Sequence, residues 1–199
     1  MRNCLGILTV LLSLTSWQCS REQSHGDIAY SEEDFVTDSY LSYQDSLVHA
    51  WNQMVRDDNE KLTALQQLLI ELRNIQAGEN QAQLIRLESR LTQLHRIRYT
   101  QKSMANPDVI EEYDFASAAL VREVLTTAES STAYAHNVVL QQLVEQIQLA
   151  DERIENYRAD YDDLVTHYNS FIELNKDYLG QMGRDSLKKR TRFELVSIN

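Results

Sequence analysis

The chain has 199 residues, with one proline, five glycines and a formal net charge of −11. So few turn-formers leave few turns, so a small number of long elements is expected, in one domain plus a targeting segment. A surface this acidic argues against direct nucleic-acid binding and gives little attraction to anionic lipid headgroups.

Taken in chain order, residues 1–19 read as an export signal or anchor. Arg2 supplies the positive end, and CLGILTVLLSLTSW forms a short apolar stretch of about 14 residues, below the roughly 20 that a spanning helix needs. Cys19 follows, then the polar run SREQSHGD. The pattern resembles a bacterial lipoprotein signal in which Cys19 becomes the lipidated first residue, although Ser16, Trp17 and Gln18 stand where small apolar residues are usual. A retained short membrane anchor and simple cleavage with secretion remain open beside it. Cys4 lies too near the start to be the lipidated residue, because no apolar stretch precedes it. With both cysteines in this segment, residues 20–199 have no intramolecular disulfide, zinc cluster or catalytic thiol to draw on.

Residues 20–31, which contain His25-Gly26-Asp27, read as a flexible tether. Ser31 is placed as an N-cap, with Glu32, Glu33 and Asp34 complementing the helix dipole. The first helix is expected to run to about Gln76 on the stripe Tyr40, Tyr43, Leu47, Trp51, Met54, Leu62, Leu65, Leu69 and Leu72. The tetrad Arg56-Asp57-Asp58-Asn59 interrupts this stripe and shifts its phase by one, which reads as a stutter or a kink. Ala77-Gly78 marks a stop. A second helix is expected from about Gln81 to Met104, with Leu84, Leu87, Leu91 and Leu94 on one face.

Asn106-Pro107-Asp108 is the clearest break, with Pro107 as a first helical residue. The third helix, to about Ser130, carries Val109, Tyr113, Ala116, Leu120, Val124 and Ala128. The segment SSTAYAHN turns the chain into a fourth helix, about Val138 to Leu179, which Gly180 and Gly183 end. This helix holds two heptad registers: Leu140, Ile147, Ile154, Tyr161, Tyr168 and Asn175, then Leu143, Ala150, Tyr157, Leu164, Phe171 and Tyr178. At about 1.5 Å per residue, they draw a narrow apolar seam along roughly 60 Å. Residues 32–180 thus form the helical domain. Residues 181–199 form a basic, poorly ordered tail, with Lys188, Lys189, Arg190 and Arg192 followed by the β-like or disordered RFELVSI.

Several residues invite a chemical role, and each has a plainer structural explanation. The seam tyrosines suit an aromatic groove, but core packing explains them better. His49, His95, His136 and His167 are isolated; Asp163 and His167 share i, i+4 spacing, which is commonplace on a helix surface. Asp57-Asp58 and Asp162-Asp163 are expected on solvated faces rather than as acid–base pairs. The basic run reads as a solubilising tail, since four or five charges are barely enough for membrane recruitment. No nucleophile elbow, phosphate loop or metalloprotease motif occurs, so no catalytic, metal-binding or cofactor residue is assigned.

The stretch LQQLVEQIQLADERIENYRADYDDLVTHYNSFI resembles the C-terminal signature of the LemA family, through Leu140-Gln141, Arg153-Ile154, Arg158, Tyr161 and Tyr168-Asn169. YLSYQDSLVHAW resembles that family's opening helix. The likeness covers about residues 40–175. Asp162 replaces the asparagine of the first Tyr-Asn step, Ala150-Asp151-Glu152 replace a Thr-Glu-Asn run, and two family prolines are missing.

The resemblance implies a divergent, membrane-tethered, long-helix protein of a bacterial envelope. The family has no established catalytic residues to carry across, and some relatives take part in membrane organisation. The expectation is therefore an all-α chain, a long antiparallel four-helix bundle with a short N-terminal membrane-targeting segment, on the periplasmic or extracellular side. It would act as a non-enzymatic scaffold or protein-interaction module, without cofactor. Its partners would be the membrane, through lipid or anchor, and a protein not named by the sequence; homo-oligomerisation stays open. The alternative is a helical small-ligand-binding or enzymatic protein that uses the tyrosine-lined seam.

Lipidation at Cys19 has a direct consequence. Cys19→Ala should abolish incorporation of a fatty-acid analogue and slow precursor processing, because several acyl chains are needed for firm anchoring. Labelling that persists in the variant rules the site out.

Overall fold

The first helical stretch tolerates its charged interruption without a break. In the computed structural model, which describes residues 31–75, 80–181 and 188–193, a single helix α1 spans Glu32–Ile75. The expected signal and anchor, Cys4, Cys19, most of the tether and the Ala77-Gly78 stop lie outside the described residues. The helical body lies within the unit Glu33–Asn199.

α2 spans Gln81–Arg96, α3 Pro107–Glu129, α4 Val138–Leu174 and the short α5 Lys176–Gln181. Single turns of 3-10 helix, Ser103–Ala105 and Tyr134–His136, precede α3 and α4. The described residues contain no strand. Asparagine side chains start both later long helices. Asn106 accepts from the Asp108 amide at 3.1 Å, with Pro107 at the first helical position, and Asn137 accepts from the amides of Val139 and Leu140 at 2.9 and 3.1 Å.

Two boundaries differ from expectation. α2 ends at Arg96, eight residues short of Met104. The chain leaves the helix there because Arg98 and Tyr99 are needed against α1: Arg98 donates to the Val55 carbonyl at 3.1 Å, and the Tyr99 hydroxyl donates to the Met54 sulfur at 3.7 Å. The fourth helix divides at Asn175, whose side-chain amide donates to the Phe171 carbonyl at 2.9 Å.

Contacts between α1 and α4 pair their residues in opposite order. Tyr40 meets Tyr168, Trp51 meets Tyr161, Asp57 meets Arg153, Lys61 meets Asp151 and Glu71 meets Asn137. The same holds between α2 and α3, where Arg86 and Arg90 both reach Glu123 and Gln83 reaches Thr127. With 44 and 37 residues, α1 and α4 are about 66 and 56 Å long, whereas α2 and α3, with 16 and 23, are about 24 and 35 Å. On α1, the named partners of α2 and α3 are Arg73 and Asp58, and Arg98 and Tyr99, which follow α2, reach Asn59 and Met54. Along this stretch of α1 the core is aliphatic, with Leu62, Leu65, Leu68, Leu69 and Leu72 packed with Leu84, Leu87, Leu120, Val124, Leu140 and Ile147. Toward the start of α1 the core turns aromatic, and its named partners come from α4, residues 190–193 and, at Trp51, Tyr99.

The buried stripe of α4 also drifts. Leu140, Ile147, Ile154, Tyr161 and Tyr168 are all buried, as the first register requires. The second register holds for Leu143 and Ala150 only. Beyond them Arg158, Val165, Ile172 and Leu179 are buried, while Tyr157, Leu164, Phe171 and Tyr178 are half-buried. A 3.6-residue helix lags a seven-residue repeat by about 20° per heptad, so five heptads move the inward position by about one residue.

Ile154 is buried and its neighbour Glu155 exposed. In chemical denaturation, Ile154→Ala should cost about 2–5 kcal/mol, the usual range for truncating a buried aliphatic side chain. Glu155→Ala should stay under about 0.5 kcal/mol. The reverse order of costs would mean that the other face of α4 is the inward one.

Candidate functional site

The tetrad that interrupts the α1 stripe forms the middle of a buried polar belt. Asp57 and Asp58, expected on a solvated face, are 1% and 4% exposed, and Lys61 is 3% exposed. The phase shift explains the correction. Past Met54 the inward positions advance by one, so 57, 58 and 61 take core places between Met54 and Leu62. The run of charge marks a place where the core is polar.

Every charge in the belt meets a partner. The Tyr113 hydroxyl donates to Asp58, 2.8 Å from each carboxylate oxygen. Arg98 Nη2 lies 2.7 Å from Asp58, and Lys61 Nζ lies 3.5 Å from it and 2.9 Å from Asp151 of α4. Arg153 donates to Asp57 at 2.7 Å and to Glu60 at 3.3 Å. One level further, Arg158 makes a bidentate pair with Asp114 of α3, both contacts at 2.7 Å, and donates to the Tyr99 hydroxyl at 2.8 Å. In the sequence Arg158 stands out only as part of a family signature, and sequence reasoning misses Lys61, Arg98, Tyr99 and Asp114. The usable signal is the polar tetrad itself, which an uninterrupted apolar stripe would not contain.

The belt's electrostatics favour fixed charge states. Burial, reinforced by the Asp58 charge, drives the Tyr113 phenol far above its ordinary range. Burial likewise raises Tyr99, with Arg158 opposing. For Arg158, burial works against the cation, but the Asp114 hydrogen bonds and Tyr99 more than compensate and hold it above its ordinary value. The Asp58 oxygens are engaged by Tyr113, Arg98 and Lys61. The arrangement therefore binds its own groups and fixes α1, α3 and α4 against sliding. A shift of one turn along α1 would strand several buried charges.

Beside the belt lies an aromatic box. Phe193 stacks on Trp51 with centroids 6.1 Å apart and planes 13° apart, and it meets Tyr99 and Tyr161 edge-on at 5.7 and 5.6 Å. The Arg158 guanidinium covers the rings of Phe193 and Tyr99 at 5.1 and 5.4 Å. The seam tyrosines thus divide. Tyr161 is buried against this box, Tyr168 is buried against Tyr40 and Tyr43, and Tyr157 is half-buried. Two open grooves, of about 480 and 420 Å³, are lined by residues of α2 and α3 such as Gln83, Glu123, Arg90 and Phe115, away from these tyrosines.

Asp162, the other expected surface acid, is half-buried and accepts from the Phe193 amide at 2.7 Å; burial raises its carboxyl, and that hydrogen bond restrains the rise. Asp163 and His167 are both exposed, as are His49, His95 and His136. Among the described residues, no group of three or more histidine, cysteine or acidic side chains is placed to hold a metal ion.

Asp58→Ala should cost about 3–5 kcal/mol, the usual penalty for leaving buried partner charges uncompensated. Tyr113 adds a pH signature. Its folded pKa lies above the unfolded value of about 10, so its contribution is intact below pH 10 and declines above it, as the unfolded phenol ionises. Tyr113→Phe should therefore reduce the alkaline loss of stability by about 1.4 kcal/mol per pH unit, one proton's worth. Unfolding titrations between pH 9 and 11 in which wild type and variant keep parallel slopes would contradict this. No family model matches the chain, and no curated protein or solved structure does so either.

Proposed function

We propose that this is a non-enzymatic scaffold or protein-interaction module of the bacterial cell envelope, tethered to the membrane by its N-terminal segment and LemA-like in build. In this reading the four long helices form an antiparallel bundle. The observation that carries it is the run of cross-helix pairs from Tyr40–Tyr168 to Glu71–Asn137, which holds α1 and α4 in register over most of their length. A long body fixed in this way suits the holding of partners at a distance from a surface. The belt supports the same view, because its ionisable groups are engaged with one another rather than held ready for a substrate. Leu41 and Val48, one heptad apart on α1, are exposed and give a protein partner an apolar strip to cover.

Among the described residues, no helix is long and apolar enough to cross a membrane. The tether in this reading therefore rests on residues 1–19, through a lipid on Cys19 or a short anchor. Fractionation of cells that express the full chain tests it. The protein should sediment with membranes and be released by detergent but not by salt, whereas recovery from the cytosol alone rejects the reading. Affinity capture from the detergent extract should then yield a protein partner that Leu41→Glu/Val48→Glu fails to retain.

A further inference from the structure

Residues 188–193, expected as part of a poorly ordered tail, lie extended along α1 and α4 with Phe193 only 3% exposed. Asn169 of α4 holds this segment as a neighbouring strand would. Its side-chain amide donates to the Arg190 carbonyl at 3.0 Å, and its oxygen accepts from the Arg190 amide at 2.8 Å. Seven residues earlier on α4, Asp162 accepts from the Phe193 amide. Seven helical residues rise about 10.5 Å, and the three extended steps from Arg190 to Phe193 cover about 10 Å, so the two clamps are in register with the segment. The Arg190 guanidinium reaches across to Gln44 of α1 at 3.0 Å, and Lys189 pairs with Glu173.

The division of burial is that of a docked peptide. Residues 188–192 are exposed, and one aromatic side chain is sunk in a box of Trp51, Tyr99, Tyr161 and Arg158. Affinity then comes from the anchor, and direction and spacing come from the backbone clamps. The charge is also complementary: a cationic segment lies on a strongly acidic chain, between Asp162 and Glu173.

We propose that the groove between α1 and α4 is a peptide-recognition site for an extended cationic segment of a protein partner with the pattern Arg-x-x-Phe, and that residues 188–193 occupy it as a tethered competitor. The partner's phenylalanine enters the box, and its arginine backbone is clamped by Asn169. The site rests on the interaction-module reading and gives that module a kind of partner. It does not depend on the membrane tether, so fractionation results leave it standing.

The test uses the full chain and a fluorescent hexapeptide, Lys-Lys-Arg-Thr-Arg-Phe, followed by anisotropy at physiological salt. A tethered segment has an effective concentration in the millimolar range, so it masks the site in wild type. Phe193→Ala, which removes the tethered anchor, should bind the peptide at least tenfold more tightly than wild type. Adding Asn169→Ala to that variant should lose the gain, and a peptide with alanine in place of phenylalanine should bind at least tenfold more weakly. Equal binding to wild type and Phe193→Ala, or equal binding of the two peptides, overturns the proposal. So does a wild-type dimer that Phe193→Ala dissociates, which would assign the groove to the tail of a second copy. Phe193→Leu guards against a folding defect: if both it and Phe193→Ala lose their cooperative helical melt, Phe193 is core and the site is not a docking groove.

Discussion

Asp58 sits on α1 with its carboxylate out of water, and such a group persists only if its neighbours supply what water gave up. They come from different parts of the chain: Lys61 from its own helix, Arg98 from the segment after α2, and Tyr113 from α3. Lys61 then engages Asp151 of α4, so one buried carboxylate connects α1, α3 and α4 within two contacts. The aliphatic layer below it is different in kind. Leucine packs against leucine at many offsets with small losses, so that layer supplies cohesion but little positional choice. Register along the long axis is therefore set by the belt, and the aliphatic half of the bundle takes the register it is given.

The same dependence on distant partners separates what the sequence reveals from what it hides. The helices are legible because Asn106-Pro107, Asn137 and the leucine stripes act locally, through caps and periodicity. The polar tetrad is legible as an anomaly but not as a core element. Whether Asp57 and Asp58 face water depends on Arg98, Tyr113 and Arg153, which are 40 to 96 residues away and have no fixed spacing from them. Phe193 is hidden for the same reason. Its local sequence is unremarkable, and only the box built by Trp51, Tyr99 and Tyr161 gives it a place. The end of α2 at Arg96 belongs here too, since nothing in the local sequence stops the helix and the pull is tertiary.

The two ends of α1 face different packing problems. From Met54 to Arg73 it is covered by partners on three helices, and leucine suffices. Toward its start the named partners are α4, the segment 190–193 and, at Trp51, Tyr99. Large rings fill this half, because each buries more area per residue than an aliphatic side chain. Tyr40, Tyr43, Trp51, Tyr161, Tyr168 and Phe171 all lie in this half. Tyr161 and Tyr168 of the tyrosine-rich seam that suggests a ligand groove in the sequence are thus accounted for by packing.

A groove between two helices either is filled or remains an apolar cleft facing water. Here one filler is Phe193, carried on an extended strip whose other residues stay in solvent. Arg158 joins the two regimes, since it pairs with Asp114 in the belt and lays its cationic plane over Phe193 in the box. Any displacement of Phe193 removes the ring that covers one face of that buried guanidinium. Tyr99 is shared in the same way, since its ring meets Phe193 on one side and Tyr113, the partner of Asp58, on the other. The packing of Phe193 in the box and the pairing of charges in the belt therefore rest on the same two side chains, Arg158 and Tyr99.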